Sequence, residues 1–513
     1  MKAAVVCAVA ALFAAAAARA AEPAVAPARF AIIVGVNQSV DRDARPLRYA
    51  DDDAAAYLEL FRTLGGRTYL VSRLDEGTRR LHSQAVAEAQ DPRRAELERV
   101  LDQVAADVGR ARARGVPTVV YFVYAGHGNV EDGRGYLALE DARLYGADLE
   151  RLVVAGVGAR ETHFIVDACY SAFLAFGRGP GGERREAHGF STMGGLASHP
   201  GVGLLLSTSS ARESHEWSEF QAGVFSHEVR SGLLGAADAD GDGQVSYREI
   251  ASFVDRANSP IPNERFRPDV YAKEPRGAAA LLDLRPALGR RLEVDGGLPG
   301  HYFIEDARGV RLADFHTARG QAVRVIRLAA HGTTFLRRAD AEVEYVMDAA
   351  PDVLRLRDLR AQPTTAAPRG AANESFRLVF SLPFSQQVVD SFVVAPPALA
   401  LRDETPRAQP YRRPLAIALA GVGVAAAAGG TWALLSAMEA QEKRSSQRDV
   451  IQLNETIARR NDLARVLFGV SGAALATSAL VWFWPRLTGG QEAPSIALVP
   501  TTGGGAVSWT RSF

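Results

Sequence analysis

The chain has 513 residues, with 59 Lys plus Arg balanced by 59 Asp plus Glu and 47% hydrophobic residues. That balance gives no electrostatic footprint for nucleic acid, and the length exceeds one hydrophobic core, so about two to four domains are expected. There are two cysteines, Cys7 and Cys169; with Cys7 in a segment expected to be removed, a disulfide framework and a thiolate zinc site are both excluded.

Residues 1–20 combine Lys2, an alanine-rich apolar run and Ala18-Arg19-Ala20, the small-x-small pattern of a cleaved signal peptide. The domains behind it are therefore expected to be exported; an uncleaved anchor is the other reading. The alanine-rich composition and the export signal fit a bacterial protein.

Phe30 to Val36 is a short apolar run that reads as a buried strand. Asp51 to Leu64 has helical spacing, with Tyr57, Leu58, Phe61 and Leu64 on its apolar face. Thr68 to Val71 reads as a second strand, Arg94 to Arg114 as an amphipathic helix, and Thr118 to Tyr124, His163 to Val166 and Gly203 to Ser207 as further strands. Strands alternating with helices predict an α/β fold, a mostly parallel sheet covered on both faces. Active residues in such folds sit at the carboxyl ends of strands.

From residue 285 to 397 the pattern changes to short alternating runs: His301 to Ile304, Val323 to Leu328, Glu342 to Met347, Ser375 to Leu382 and Gln387 to Val394. These predict a β-rich, sandwich-like module with no chemical motif. Residues 414–438 and 463–484 are each long enough to cross a bilayer, which takes about 20 residues; a buried helical hairpin is the alternative. The loop between them holds Lys443, Arg444, Arg448, Arg459 and Arg460. If the front domains are exported, this loop is cytoplasmic and its charge obeys the positive-inside rule, although Arg402, Arg407, Arg412 and Arg413 weaken the asymmetry. Residues 485–513 form a tail. The expected location is the bacterial inner membrane, with the front domains in the periplasm.

Two motifs carry chemistry. Tyr124-Ala125-Gly126-His127-Gly128 and Asp167-Ala168-Cys169-Tyr170-Ser171 each follow an apolar strand. A thiol needs a base to become a strong nucleophile, and an imidazole at the neighbouring strand end can supply it. The backbone N–H groups of Gly128 and Cys169 are candidates for an oxyanion hole.

At these residues the stretch from Arg29 to Asn258 resembles the caspase-like fold of caspases, metacaspases and bacterial relatives. The opening strand, the Leu47-x-Tyr-Ala-Asp-Asp-Asp53-Ala helix start, the His-Gly motif and the Asp-x-Cys motif occur in the family's order, within a peptidase domain expected to span 29–283. The resemblance implies a cysteine-type endopeptidase acting on peptide or protein substrates. In it Cys169 attacks the carbonyl and His127 protonates the leaving amine. Ala172 stands where the family commonly has glycine, which puts the local turn in question. The likeness to metacaspases implies that Asp53 and Asp167 line a substrate pocket selecting Arg or Lys, whereas caspases use arginines there to select Asp. Asp53 as a helix cap, or Asp51 or Asp52 in the pocket role, are open alternatives. Ser207 opens a segment that resembles the border of the family's substrate groove. The Gly-rich loop between Gly177 and Gly195 carries Arg184 and Arg185, where the resemblance implies self-cleavage; a solvated loop is the alternative.

Residues 238–249, from Asp238 to Glu249, match a twelve-residue calcium loop: carboxylates at Asp238, Asp240, Asp242 and Glu249, glycine at Gly243, a backbone carbonyl at Gln244, and Ser246 acting through water. Phe225 to Ala236 and Tyr247 to Ala257 read as its flanking helices, and Ca2+ is the expected cofactor. The competing functional readings are a non-catalytic scaffold with a caspase fold whose β module binds a partner, and a related cysteine peptidase of different specificity.

Overall fold

The computed structural model describes residues 26–132, 134–168, 195–207, 216–217, 222–261, 267, 270–328, 331–341, 343–348, 351–364, 379–393, 412–442, 447–487, 495–501 and 504–510. The expected signal peptide, Cys169 and the Arg184/Arg185 loop lie outside them. The chain divides into two compact units, 1–400 and 401–513.

The first unit is built on a seven-stranded sheet. Its strands are β1 (Ala28–Gly35), β2 (Arg67–Ser72), β3 (Ala89–Gln90), β4 (Thr118–Ala125), β5 (Glu161–Asp167), β6 (Val202–Ser207) and β7 (Val270–Lys273), in the order β7-β6-β5-β4-β1-β2-β3. Every pair is parallel except β7 with β6. All eight residues of the central strand β4 are buried, as expected of a parallel strand covered on both faces.

Alternation sorts those residues into two cores. Phe30, Ile32, Val34, Val120, Phe122, Phe164 and Val166 face Leu97, Val100, Leu101, Val104 and Val108 of helix α2 (Arg94–Ala113). Ala31, Ile33, Tyr121, Val123, Ile165 and Leu205 face the other way. There they meet Tyr57, Leu58 and Phe61 of helix α1 (Ala50–Thr63), Phe225 and Val229 of α3 (Val224–Ser231), and Phe253 and Val254 of α4 (Tyr247–Asn258).

The β-rich region holds a five-stranded sheet containing Gly300–Asp306, Arg311–Thr317, Thr334–Arg338, Val343–Met347 and Ala361–Pro363. A three-stranded sheet contains Arg291–Val294, Val323–Ile326 and Val353–Arg355. Its apolar side chains, among them Val294, Tyr302, Phe315, Val325 and Leu336, belong to the same core as α1, α3 and α4. One expected strand is overturned. Gln387 to Val394 contains a helix, Gln386–Ser391, instead. Arg248 of α4 donates to the carbonyls of Val389, Asp390 and Phe392 at 2.8–2.9 Å, satisfying acceptors at the end of the helix. Of the expected strand Ser375 to Leu382, residues 379–382 are described and form a turn, and the rest lies outside the described residues.

The second unit contains two long helices, α5 (Arg412–Glu442) and α6 (Gln447–Leu487), and a hairpin of Ser495–Thr501 with Gly504–Thr510. The helices run antiparallel: Ser478 Oγ donates to Ala416 O at 2.8 Å, and Arg460 donates to Ser436 O at 2.6 Å. Two membrane spans were expected. Among the described residues one segment, Ala416–Glu439, is long and apolar enough to cross a membrane. α6 begins with a polar stretch, Gln447 to Arg465.

Candidate active site and calcium loop

Strand register brings the candidate residues to one edge. Gly35 pairs with Ala125, and Ala125 with Asp167. Leu206 pairs with Val166, so Ser207 stands level with Asp167. This row is the carboxyl edge of the sheet, and His127 follows β4 there. Cys169 lies outside the described residues, two positions beyond Asp167 in the sequence.

His127 is half-buried. Its Nε2 lies 2.8 Å from the carbonyl oxygen of Arg45. A carbonyl only accepts, so Nε2 carries the proton and Nδ1 is the basic nitrogen. Burial lowers the imidazole's pKa from its ordinary value, against the pull of the Arg45 carbonyl and Asp41. The peptide after the ring is fixed as well: Ala138 N and Tyr124 Oη both donate to His127 O, at 3.0 and 2.8 Å. Gly128 then opens the strand Gly128–Glu131.

The three aspartates that open α1 take separate roles. Asp51 accepts from Asn37 Nδ2 at 2.7 Å and from Asp75 N at 2.8 Å, tying two loops together. Asp52 lines a small cavity with His82 and Arg230, and burial, then Asp51, pushes its carboxyl up to about 8. Asp53 is the fourth residue of the helix. Its N–H is bonded to Tyr49 O, so the helix-cap reading does not hold. Its Oδ2 accepts from Gly223 N at 2.8 Å.

Asp167 reaches the same place from β5, where its Oδ2 accepts from Ser226 N at 3.1 Å and Ser226 Oγ at 2.7 Å. A Cβ on Gly223 would stand 2.8 Å from Asp167 Oδ2 and 3.1 Å from Asp53 Oδ2; only a bare backbone lets both carboxylates approach. Burial raises both carboxyls, and each is opposed by Arg230.

Arg230 is a candidate site residue that sequence reasoning missed. It lies on α3, one helical turn beyond Ser226, and its Nη2 donates to Asp53 Oδ1 at 3.1 Å with both side chains buried. The pair of carboxylates therefore has a guanidinium beside it. Asp167 is held by neutral donors instead. The Asp53 partner of Arg230 lies 177 residues away, so no local pattern in the sequence signalled it. Arg45 had no signal, because it acts through its backbone.

The helix carrying Ser226 and Arg230 leads into residues 238–249, the candidate calcium loop. Asp238, Asp240 and Asp242 each offer an oxygen within 4.8 Å of the others. Gly243 has φ +82°, the left-handed turn a calcium loop needs at this position. Asp238 Oδ2 accepts from Gly243 N at 3.2 Å, while Oδ1 is buried with no hydrogen-bond partner, an orphaned acceptor that suits a cation. Gln244 donates to Asp242 from N at 2.7 Å and from Nε2 at 2.9 Å. Glu249 is not gathered with the three aspartates. Its Oε1 accepts from Ala239 N at 3.0 Å, and its Oε2 accepts from Ser246 N and Oγ at 2.8 Å.

With this geometry in hand, the comparisons are specific in family and distant in detail. The caspase domain family matches residues 28–261. Caspase-1 from Spodoptera frugiperda is similar at 11% identity and a TM-score of 0.32, covering 50% of this chain and 90% of that one. The structure described as pro-sf-caspase-1 gives 12% identity and a TM-score of 0.31, covering 50% and 91%. No curated protein matches the sequence.

Proposed function

Residues 28–261 are a caspase domain, and from that premise we propose that the protein is a membrane-tethered cysteine-type endopeptidase with Cys169 as nucleophile and His127 as its base. The observation that carries the reading is the shared sheet edge: His127 follows β4, and Asp167, two residues before Cys169, ends the neighbouring strand. His127 Nδ1 takes the thiol proton, and the thiolate attacks the peptide carbonyl. The N–H groups of Gly128 and Cys169 receive the oxyanion. The imidazolium protonates the leaving amine, and water then hydrolyses the thioester.

Preference for Arg or Lys is supported by two carboxylates converging on Gly223. Because Asp53 is paired with Arg230, Asp167 is the carboxylate left for an incoming guanidinium, and Ser207 borders the same edge. Self-cleavage at Arg184 or Arg185 follows from the same preference. An arginyl covalent inhibitor should label the wild-type chain and not Cys169→Ala. Preference for aspartyl over arginyl peptides would sink the specificity, and absence of any Cys169-dependent turnover would favour a scaffold.

Membrane tethering is supported by α5. Its 24-residue apolar segment is about 36 Å long against a hydrocarbon core of about 30 Å, and Ile417, Val422, Val424, Trp432, Leu435 and Met438 are exposed on it. The proposed site is the bacterial inner membrane, with the peptidase in the periplasm.

The 238–249 loop is proposed to bind calcium through Asp238, Asp240, Asp242 and the Gln244 carbonyl. Glu249 joins by exchanging its hydrogen bonds to Ala239 and Ser246 for the ion. Calorimetry on the full chain should give a calcium heat that Asp238→Ala removes; an unchanged heat rejects the site.

A further inference from the structure

The calcium loop is gripped on one side by the β-rich region and on the other by the strand that precedes it. Arg324, in the strand Val323–Ile326, donates from Nη2 to Asp238 Oδ2 at 3.0 Å and also to the carbonyl of Gly241. Gln321 Nε2 donates to Ala239 O at 2.9 Å. The first, second and fourth positions of the loop are thus held by side chains from about 80 residues further along the chain. On the other side, Gln244–Ser246 pairs antiparallel with Ala280–Asp283, and Leu284 N donates to Gly243 O at 2.9 Å.

Asp238 has two buried oxygens in different states. Oδ2 carries Gly243 N and Arg324; Oδ1 has no hydrogen-bond partner, and one oxygen of Asp238 lies in the carboxylate cluster. The Arg324 guanidinium is one-third exposed, while the Asp238 side chain is 3% exposed. A fixed positive charge therefore sits against the carboxylate that a dication would engage first. Two cations sharing one carboxylate repel each other, and in a partly buried loop that repulsion is not screened away.

We propose that Arg324 is a tethered cation that competes with calcium for the loop, so that calcium binding and the Arg324 grip of the β-rich region oppose each other. This rests on the calcium reading of residues 238–249. Linkage makes the effect reciprocal: whatever factor Arg324 costs calcium, calcium costs the Arg324 contact. The shared apolar core holds the region in place, so calcium loosens one edge and does not detach it. The loop then reports calcium to a part of the molecule that carries none of the proposed peptidase residues.

The test is calcium titration by calorimetry on the full-length chain, comparing wild type with Arg324→Gln and Arg324→Lys, with circular dichroism to check folding. Arg324→Gln should bind calcium at least about fivefold more tightly, and Arg324→Lys, which keeps the charge, should stay nearer wild type. Equal or weaker binding by Arg324→Gln overturns the competition while leaving the calcium site standing. No calcium heat from either protein overturns the site and the competition together. A second measurement needs no variant: calcium should speed phenylglyoxal modification of Arg324 in the wild-type chain, read by peptide mass. An unchanged or slower rate overturns the proposal.

Discussion

Among the described residues the His127 ring makes one hydrogen bond, Nε2 to the Arg45 carbonyl, and that bond decides which nitrogen is left to accept a proton. Burial keeps the ring's pKa below its ordinary value, about 6.5. The neutral, working form therefore persists into mildly acidic solution and is lost only as pH falls through the depressed value. The acid limb of kcat/KM against pH is expected below about 6.5; a limb at or above that value would contradict it. At this scale the sequence displayed what is local. His-Gly and Asp-x-Cys each follow an apolar run, so the strand-end positions of His127 and Asp167 were legible, while Cys169 lies outside the described residues. Arg45 and Arg230 were not, because each acts on a partner far away in sequence, Arg230 being 177 residues from Asp53. No local pattern announces such a pair.

Elements were legible where one physical signal dominated. Five of the central strands and helices α1, α2 and α4 follow from continuous apolar runs and helical spacing, with differences of a residue or two at their ends; α3 stops at Ser231, and the expected remainder to Ala236 is a π-helical turn kinked at Gly235. The antiparallel strand β7 was not foreseen, since Val-Tyr-Ala-Lys has little pattern of its own and is held by Leu204 to Ser207. The helix at 386–391 was misread for a related reason: Val388 and Val389 favour a strand locally, and Arg248 decides otherwise from the surface of α4. Helix α4 shows an opposite case, with a start written wholly in its own sequence. Ser246 Oγ accepts from Glu249 N at 3.1 Å, while Glu249 Oε2 accepts from Ser246 N, a reciprocal cap. Ser246→Ala is expected to cost about 1 kcal/mol in calcium-free urea denaturation; no measurable loss would show that the cap is redundant there.

At the scale of the whole molecule, the β-rich region was expected as a separate module, and its packing was beyond the sequence. Which apolar face meets which is set by long-range register, not by periodicity. Polar contacts mark the same joint. His331 Nε2 lies 2.7 Å from Glu59 Oε2 on α1, and its Nδ1 lies 3.1 Å from Asp306 Oδ2. Burial lowers its pKa, but the two carboxylates win and carry it up to about 9. A histidine whose folded pKa is raised contributes stability in full below its unfolded value and loses it as pH rises through the folded one. The stability difference between wild type and His331→Asn should therefore be largest near pH 6 and shrink by on the order of 2 kcal/mol by pH 10. Thermal melts across that window would refute this if the difference stayed constant.

The single core running from the central sheet into the strands beyond residue 290 also bears on how the protein can be dismantled. A protease that severed the chain near Leu284 would not liberate the caspase-like domain as a free, folded piece. If the downstream piece were then lost, the flanks of Leu233, Leu234 and Phe253 would be bared as one apolar wall, and the remnant should clump or be degraded. If the proposed tether through α5 holds, a cut that frees the first unit has to fall after the β-rich strands and before Arg412, where the boundary between the two units lies.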